Sequence, residues 1–235
     1  MPDTTVAKTN ANESRSLAGT AYNRIYEDIL QCELQPGSKL GMMDLQKKYQ
    51  LGLGPIREAL ARLSSENLVI AREQKGYRVA PIDHEEIQDV LTARLVVEIG
   101  ALRLSMGKRT PAWEGELLSA FHQLDRAPFP HDDAEHARDW RKAHRRFHMA
   151  LLSNCESNIL LKTAERLFDQ SERSRFLRSK SLTPTTLEMI RNEHKFILDA
   201  VLNDQFESAA EYLKEHYVRT TEDTLKALKP ADHAG

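Results

Sequence analysis

The sequence predicts a mostly α protein with an N-terminal winged helix-turn-helix and a C-terminal all-helical antiparallel bundle. Three observations carry this. A helix-turn-helix pattern within residues 17–68 is followed by two short β-rich runs around Gln74-Lys75-Gly76. From Asp83 onward the apolar period stays helical, with no further strand signal. His144 and His148, four positions apart in "AHRRFHMALL", lie on one face of a helix in that second part.

The elements follow in order. Residues 1–14 lack apolar periodicity and read as a disordered tail. Tyr22, Ile25, Tyr26, Ile29 and Leu30 recur at helical spacing, giving a helix from about Leu17 to Leu34, and Pro36-Gly37 breaks the pattern. A short helix at 43–50 carries Leu45 and Tyr49 one turn apart. Gly52 and Gly54 then bracket a tight turn, and Pro55 opens the helix "PIREALARLSSENL" from a first-turn position. Two runs rich in Val, Ile and Tyr around residues 74–76 read as a hairpin, the wing. This domain is expected over 15–81 and the helical one over 82–228, with a short tail at 229–235. In the helical domain Asp83 and Glu86 form a capping box. About six helices follow, the last two antiparallel across the break at Asn203-Asp204.

Composition excludes several classes. With 33 Lys/Arg against 35 Asp/Glu, the chain is not a basic nucleic-acid coat, so any DNA-binding face must come from placement. Cys32 and Cys155 form neither a disulfide framework nor a CxxC knuckle. The polar N-terminus is not a signal peptide, and no apolar run is long enough to cross a bilayer. A cytoplasmic protein with no membrane partner is the expectation.

Arg57 stands in the first turn of the recognition helix, where a guanidinium can pair with guanine O6/N7 or bind phosphate. Arg62, Lys47 and Lys48 are phosphate candidates, and Lys75-Gly76 forms the wing tip. His194 and His216 lie on the last two helices, where antiparallel packing can bring both level with His144 and His148. Four imidazoles in a bundle core suit Zn²⁺, or Ni²⁺ as another imidazole-preferring ion. The other histidines (His84, His122, His131, His136 and His233) show no such pattern. An alternative is a helical metalloenzyme with a catalytic zinc. However, no HExxH, GxSxG or phosphate loop is present, and Glu193 leaves its helix about 100° from His194.

"GPIREALARLSSENLV" followed by "QKGYRVAP" resembles the recognition helix and wing of the GntR family of bacterial transcription regulators, and the helical part resembles the FCD domain of its FadR branch. Within that branch, "LGLGPIREAL" and "QKGYRVA" most resemble the carbon-starvation-induced group, which responds to glutarate. The resemblance implies a homodimer on palindromic operator DNA, most commonly a repressor, controlled by an effector in the helical domain. It implies metal ligation by one Asp and three His. Three of these positions are His148, His194 and His216, and the Asp position holds His144, a more nitrogen-rich set. It further implies that Arg94 faces the ligand, so that a small mono- or dicarboxylate bridges metal and guanidinium, with Arg175 as a second effector-binding candidate. One departure stands out. Where the family commonly has Ser-Arg-Thr, this chain has Gly52, Leu53 and Gly54, so Leu53 either packs on a thymine methyl or belongs to the core.

Overall fold

The computed structural model describes the backbone of residues 4–72, 75–128, 134–179 and 183–228, and the side chains of these except 4–16, 134, 176–179 and 184. The tail expected at 229–235, part of the wing tip and residues 129–133 lie outside the described residues. The chain divides into two compact units, Met1–Ile82 and Asp83–Gly235.

In the first unit, α1 (Thr4–Leu30) starts earlier than the expected Leu17 and runs through part of the segment read as a tail. No Gly or Pro lies between residues 4 and 18, so extending an already nucleated helix meets no breaker. Its packed part is a buried stripe of Ala18, Ala21, Ile25 and Ile29, the last three within the core of this unit. Gly37 takes φ +74°, a conformation that costs a glycine little, and reverses the chain into β1 (Lys39–Leu40).

Helix α2 (Met42–Tyr49) ends on Gln50 in the left-handed region, and α3 begins three residues later. α3 spans Leu53–Ser65. It starts two positions before the expected Pro55, and Gly54 is helical rather than part of a turn. Proline is still tolerated, because the first four amides of a helix have no intrahelical acceptor to lose. Ile56, Ala59, Leu60 and Leu63 form its buried face. Truncating a fully buried residue such as Leu63 to Ala costs about 2–5 kcal/mol.

The wing is β2 (Val69–Arg72) and β3 (Gly76–Val79), antiparallel with Arg72 opposite Gly76. β1 adds to the other edge of β3, a strand that two residues of sequence could not announce.

The second unit contains α4 (His84–Met106), α5 (Pro111–Arg126), α6 (Ala134–Leu152), α7 (Asn158–Ser179), α8 (Pro184–Leu202) and α9 (Phe206–Ala227). A 3₁₀ turn, Ser153–Cys155, precedes α7. Four of the described helix starts are capped by side chains. Asp83 accepts from the Glu86 amide at 2.8 Å, Thr110 from Trp113, Ser157 from Leu160, and Thr183 from Thr186. Arg109 reaches the end of α8, donating to the Val201 and Leu202 carbonyls at 3.1 and 2.9 Å, where helix carbonyls lack partners. α4 packs on α7 and α9, α5 on α6, and α8 on α9. Leu102, Leu117, Phe147, Leu151, Ile197 and Leu213 fill the middle. No described helix is long and apolar enough to cross a membrane.

Candidate metal centre and DNA-reading face

The inward stripe of α6 passes from Trp140 through His144, Phe147 and His148 to Leu151, so two histidines occupy positions where a helix buries its apolar residues. α8 contributes His194 and α9 contributes His216. All four imidazoles are buried, and each offers a ligand atom within 4.8 Å of the others. His148 Nε2 lies 3.0 Å from His144 Nε2 and 3.3 Å from His194 Nε2.

The hydrogen bonds around the rings explain why these nitrogens face each other. Tyr217 donates its hydroxyl proton to Glu98 at 2.6 Å, and burial together with that carboxylate raises its pKa well above the ordinary range, so it keeps the proton. The same oxygen, 3.1 Å from His148 Nδ1, therefore accepts from it. The proton of His148 sits on Nδ1 and its Nε2 presents a lone pair. His216 Nδ1 likewise donates to Glu193 at 2.8 Å, and His194 bonds to the Ile190 backbone.

Burial, reinforced by neighbouring guanidinium groups, pushes all four histidine pKa values down, that of His194 to about 3, so the rings are neutral. Neutral imidazoles with converging lone pairs repel one another and suit a cation. Tetrahedral ligation at about 2.0–2.1 Å from Zn²⁺ places nitrogens about 3.3 Å apart, in line with the two short separations. The donor set therefore fits an imidazole-preferring divalent metal.

Three arginine–glutamate pairs surround the histidines. Arg94, 4% exposed, gives Nε and Nη2 to Glu98 at 2.6 and 3.2 Å and Nη1 to Ser171, and lies 3.8 Å above the Tyr217 ring. In this arrangement Arg94 braces Glu98. Arg219 holds Glu193. Arg175 pairs with Glu172 at 2.8 Å and approaches His144 Nε2 at 3.1 Å, so it is the guanidinium nearest the lone pairs. Trp140 stacks flat on His144, centroids 4.6 Å apart.

Glu98, Glu172, Arg219, Tyr217 and Trp140 were not singled out from sequence. Arg94-x3-Glu98 and Glu172-x2-Arg175 spacings were the available signals. Glu193, dismissed above as an acid/base group, is the carboxylate behind His216.

A cleft of about 10 Å³, roughly one water in size, reaches His194 between Trp140, Phe121 and Leu187. A larger groove of about 550 Å³ lies over α8 and α9, lined in part by Glu188, Glu193 and Glu215. Its acidic lining disfavours anions.

On the first unit, Arg57 and Lys47 are exposed and have no side-chain partner among the described residues. Lys48 pairs with Asp28 at 2.7 Å. Arg62 lies over the Tyr22 ring at 3.7 Å and pairs with Glu66. Leu53 is 37% exposed, so it is not core. Lys75 and Gly76 are exposed at the wing, where Gly76 takes φ +78°. Arg72 and Arg78, also exposed there, were missed as candidates.

The comparisons decide the family. The profile described as bacterial regulatory proteins, gntR family, matches residues 17–79, and that of the FCD domain matches residues 89–219. The chain belongs to the gntR family. The HTH-type transcriptional repressor GlaR of Escherichia coli (strain K12) is 35% identical over 83% of this chain and 90% of its own length. The HTH-type transcriptional regulator BphR of Paraburkholderia xenovorans (strain LB400) is 31% identical over 86% and 82%. The solved structure of E. coli McbR/YncC superposes with TM-score 0.76 at 19% identity, covering 91% of this chain and 99% of that one, a likeness of fold. As a gntR-family protein the chain is a DNA-binding regulator with an FCD effector domain, not an enzyme.

Proposed function

We propose that this regulator is a cytoplasmic homodimeric repressor whose hold on a palindromic operator is set by a small carboxylate bound at a metal centre of the FCD domain. The observation that carries the reading is the convergence of four buried, neutral imidazoles, three of them with a second partner for the ring. His144, His148, His194 and His216 would hold Zn²⁺ or Ni²⁺. A bound ion supplies positive charge and an attachment point for a carboxylate oxygen.

Arg175 is the group that would receive the other oxygen, since Arg94 is committed to Glu98. The cleft at His194 is too small for a dicarboxylate, so binding requires Arg175 or Trp140 to move. Such a movement is the kind of two-state change that couples a ligand to a DNA-binding unit. The name of GlaR supports repression, and resemblance to the carbon-starvation-induced group makes glutarate the first acid to try.

On DNA, Arg57 is assigned to base edges, with Leu53 and Gly54 beside it. Lys47, Lys48 and the wing residues Lys75 and Gly76 are assigned to phosphates. Arg62, held by Glu66, is the weaker phosphate contact. Two-fold protein symmetry then matches the two half-sites.

Thermal melts against small carboxylates, glutarate included, with and without chelator, test the reading. At 100 times its Kd a ligand adds about 2.7 kcal/mol. A shift that disappears on chelation supports a metal-bound effector. A shift that survives chelation contradicts it.

A further inference from the structure

Glu172 is the least satisfied of the three glutamates around the histidines. Glu98 accepts three hydrogen bonds, from Arg94 twice and from Tyr217. Glu193 accepts from His216 and Arg219. Glu172, at 4% exposure, is nearly as enclosed as Glu98 and more so than Glu193, yet its Oε1 has no directed hydrogen bond. It lies 2.8 Å from Arg175 Nη1 as an ion pair and 3.8 Å from His144 Nδ1. A buried carboxylate oxygen without its full set of donors is costly, and here two donors stand on either side of it.

His144 has the complementary deficit. The other three histidines have a second partner: Tyr217, the Ile190 backbone and Glu193. The Nε2 of His144 faces the Arg175 guanidinium, which can only donate, so its proton belongs on Nδ1. That Nδ1 meets a second nitrogen of Arg175 at 3.4 Å and the Glu172 carboxylate beyond hydrogen-bond length. A displacement of about 1 Å, on the scale of hydrogen-bond against ion-pair separations, would let Glu172 exchange Arg175 for His144.

We propose that Glu172 is the built-in occupant of Arg175. An effector carboxylate takes its place on the guanidinium, and the released Glu172 accepts the Nδ1–H of His144. This deepens the metal-and-carboxylate reading above and rests on it. The effector then competes with an internal anion, which lowers its apparent affinity. It also completes the support of the fourth metal ligand, so carboxylate and metal bind cooperatively.

The test uses full-length protein loaded with Co²⁺, whose visible bands report on the metal's ligands, titrated with acetate as a simple carboxylate. Glu172→Gln removes the competitor's charge at constant shape, and acetate should bind roughly tenfold tighter than to wild type. In the Glu172→Gln/Arg175→Gln double variant that gain should vanish. An acetate response equal in wild type and Glu172→Gln, including none in either, overturns the proposal. So does a gain that persists without Arg175, which would be long-range charge alone. If neither protein develops a Co²⁺ spectrum before acetate is added, the metal reading itself fails, and the inference with it. Should Glu172→Gln not fold, Glu172→Asp keeps the charge but withdraws it by one methylene. Tighter acetate binding is again expected, and unchanged binding overturns the proposal.

Discussion

His148 Nδ1 lies 3.1 Å from the Tyr217 hydroxyl, and because that hydroxyl's own proton goes to Glu98, the histidine must donate. One tyrosine proton thus aims the Nε2 lone pair of His148 at its three neighbours. Tyr217→Phe removes the acceptor while keeping the ring that stacks beneath Arg94. Metal affinity, read by competition with a chelating dye, should fall about 10–100-fold. Unchanged affinity would mean that packing alone orients His148.

With His144 among them, the four candidate ligands are all imidazole nitrogens. His144→Asp should keep the fold and raise affinity for Mn²⁺ relative to Zn²⁺ and Ni²⁺, because carboxylate oxygen suits Mn²⁺ better than imidazole does. Parallel titrations with the three ions check this. An unaltered order of preference would show that His144 is not a ligand.

Arg94 and Arg175 should separate cleanly. Arg94→Ala leaves the buried Glu98 carboxylate with only the neutral Tyr217 hydroxyl as a donor and should destabilise the protein by about 3–5 kcal/mol. Arg175→Gln takes the ion-pair partner from buried Glu172, so its cost in stability should be of the same order, but it should also abolish the carboxylate-induced thermal shift. Denaturant unfolding and melts with glutarate measure both, and a loss of ligand response confined to Arg94→Ala would reverse the assignment.

Acid should weaken the metal-free protein through the buried histidines. Their folded pKa values lie below the usual 6.5, that of His194 at about 3, so between those limits the unfolded chain binds more protons. Stability is therefore full above pH ~6.5 and declines as pH falls toward 3, by up to ~1.4 kcal/mol per pH unit for each histidine. Melts of chelated protein across this range check the slope. His194→Gln should flatten it, and an equal slope in that variant would place the acid sensitivity elsewhere.

On the other unit, Arg57→Ala should cost about 1–3 kcal/mol of operator affinity and relax base preference at one position. Lys47→Ala should weaken all DNA sequences alike and lower the salt slope by about 1. Fluorescence anisotropy at several salt concentrations distinguishes the two. A sequence-independent loss at Arg57 would make it a phosphate contact.

The fold was largely legible because its elements repeat apolar residues at unambiguous spacing: Ile56, Ala59, Leu60 and Leu63 in α3, and Phe147 and Leu151 in α6. β1 was not, since two residues carry no period and form a strand only by pairing with β3. The histidine quartet could be read from a spacing of four plus two helices expected to be antiparallel. Its supports could not. Glu98 and Tyr217 lie 119 positions apart, and nothing local marks a glutamate as the acceptor of a distant tyrosine. Arg94 shows the same limit, because its neighbour Glu98, one turn along the same helix, decides whether its guanidinium is available to a ligand.

The central claim is that these four histidines hold a metal. Elemental analysis of purified, dialysed protein tests it most directly, with a His148→Ala/His194→Ala variant prepared alongside. The account predicts one Zn²⁺ or Ni²⁺ per chain in the wild type, removable by chelator with a fall in melting temperature, and none in the variant. Metal-free wild type that neither takes up added Zn²⁺ or Ni²⁺ nor responds to chelator would contradict it.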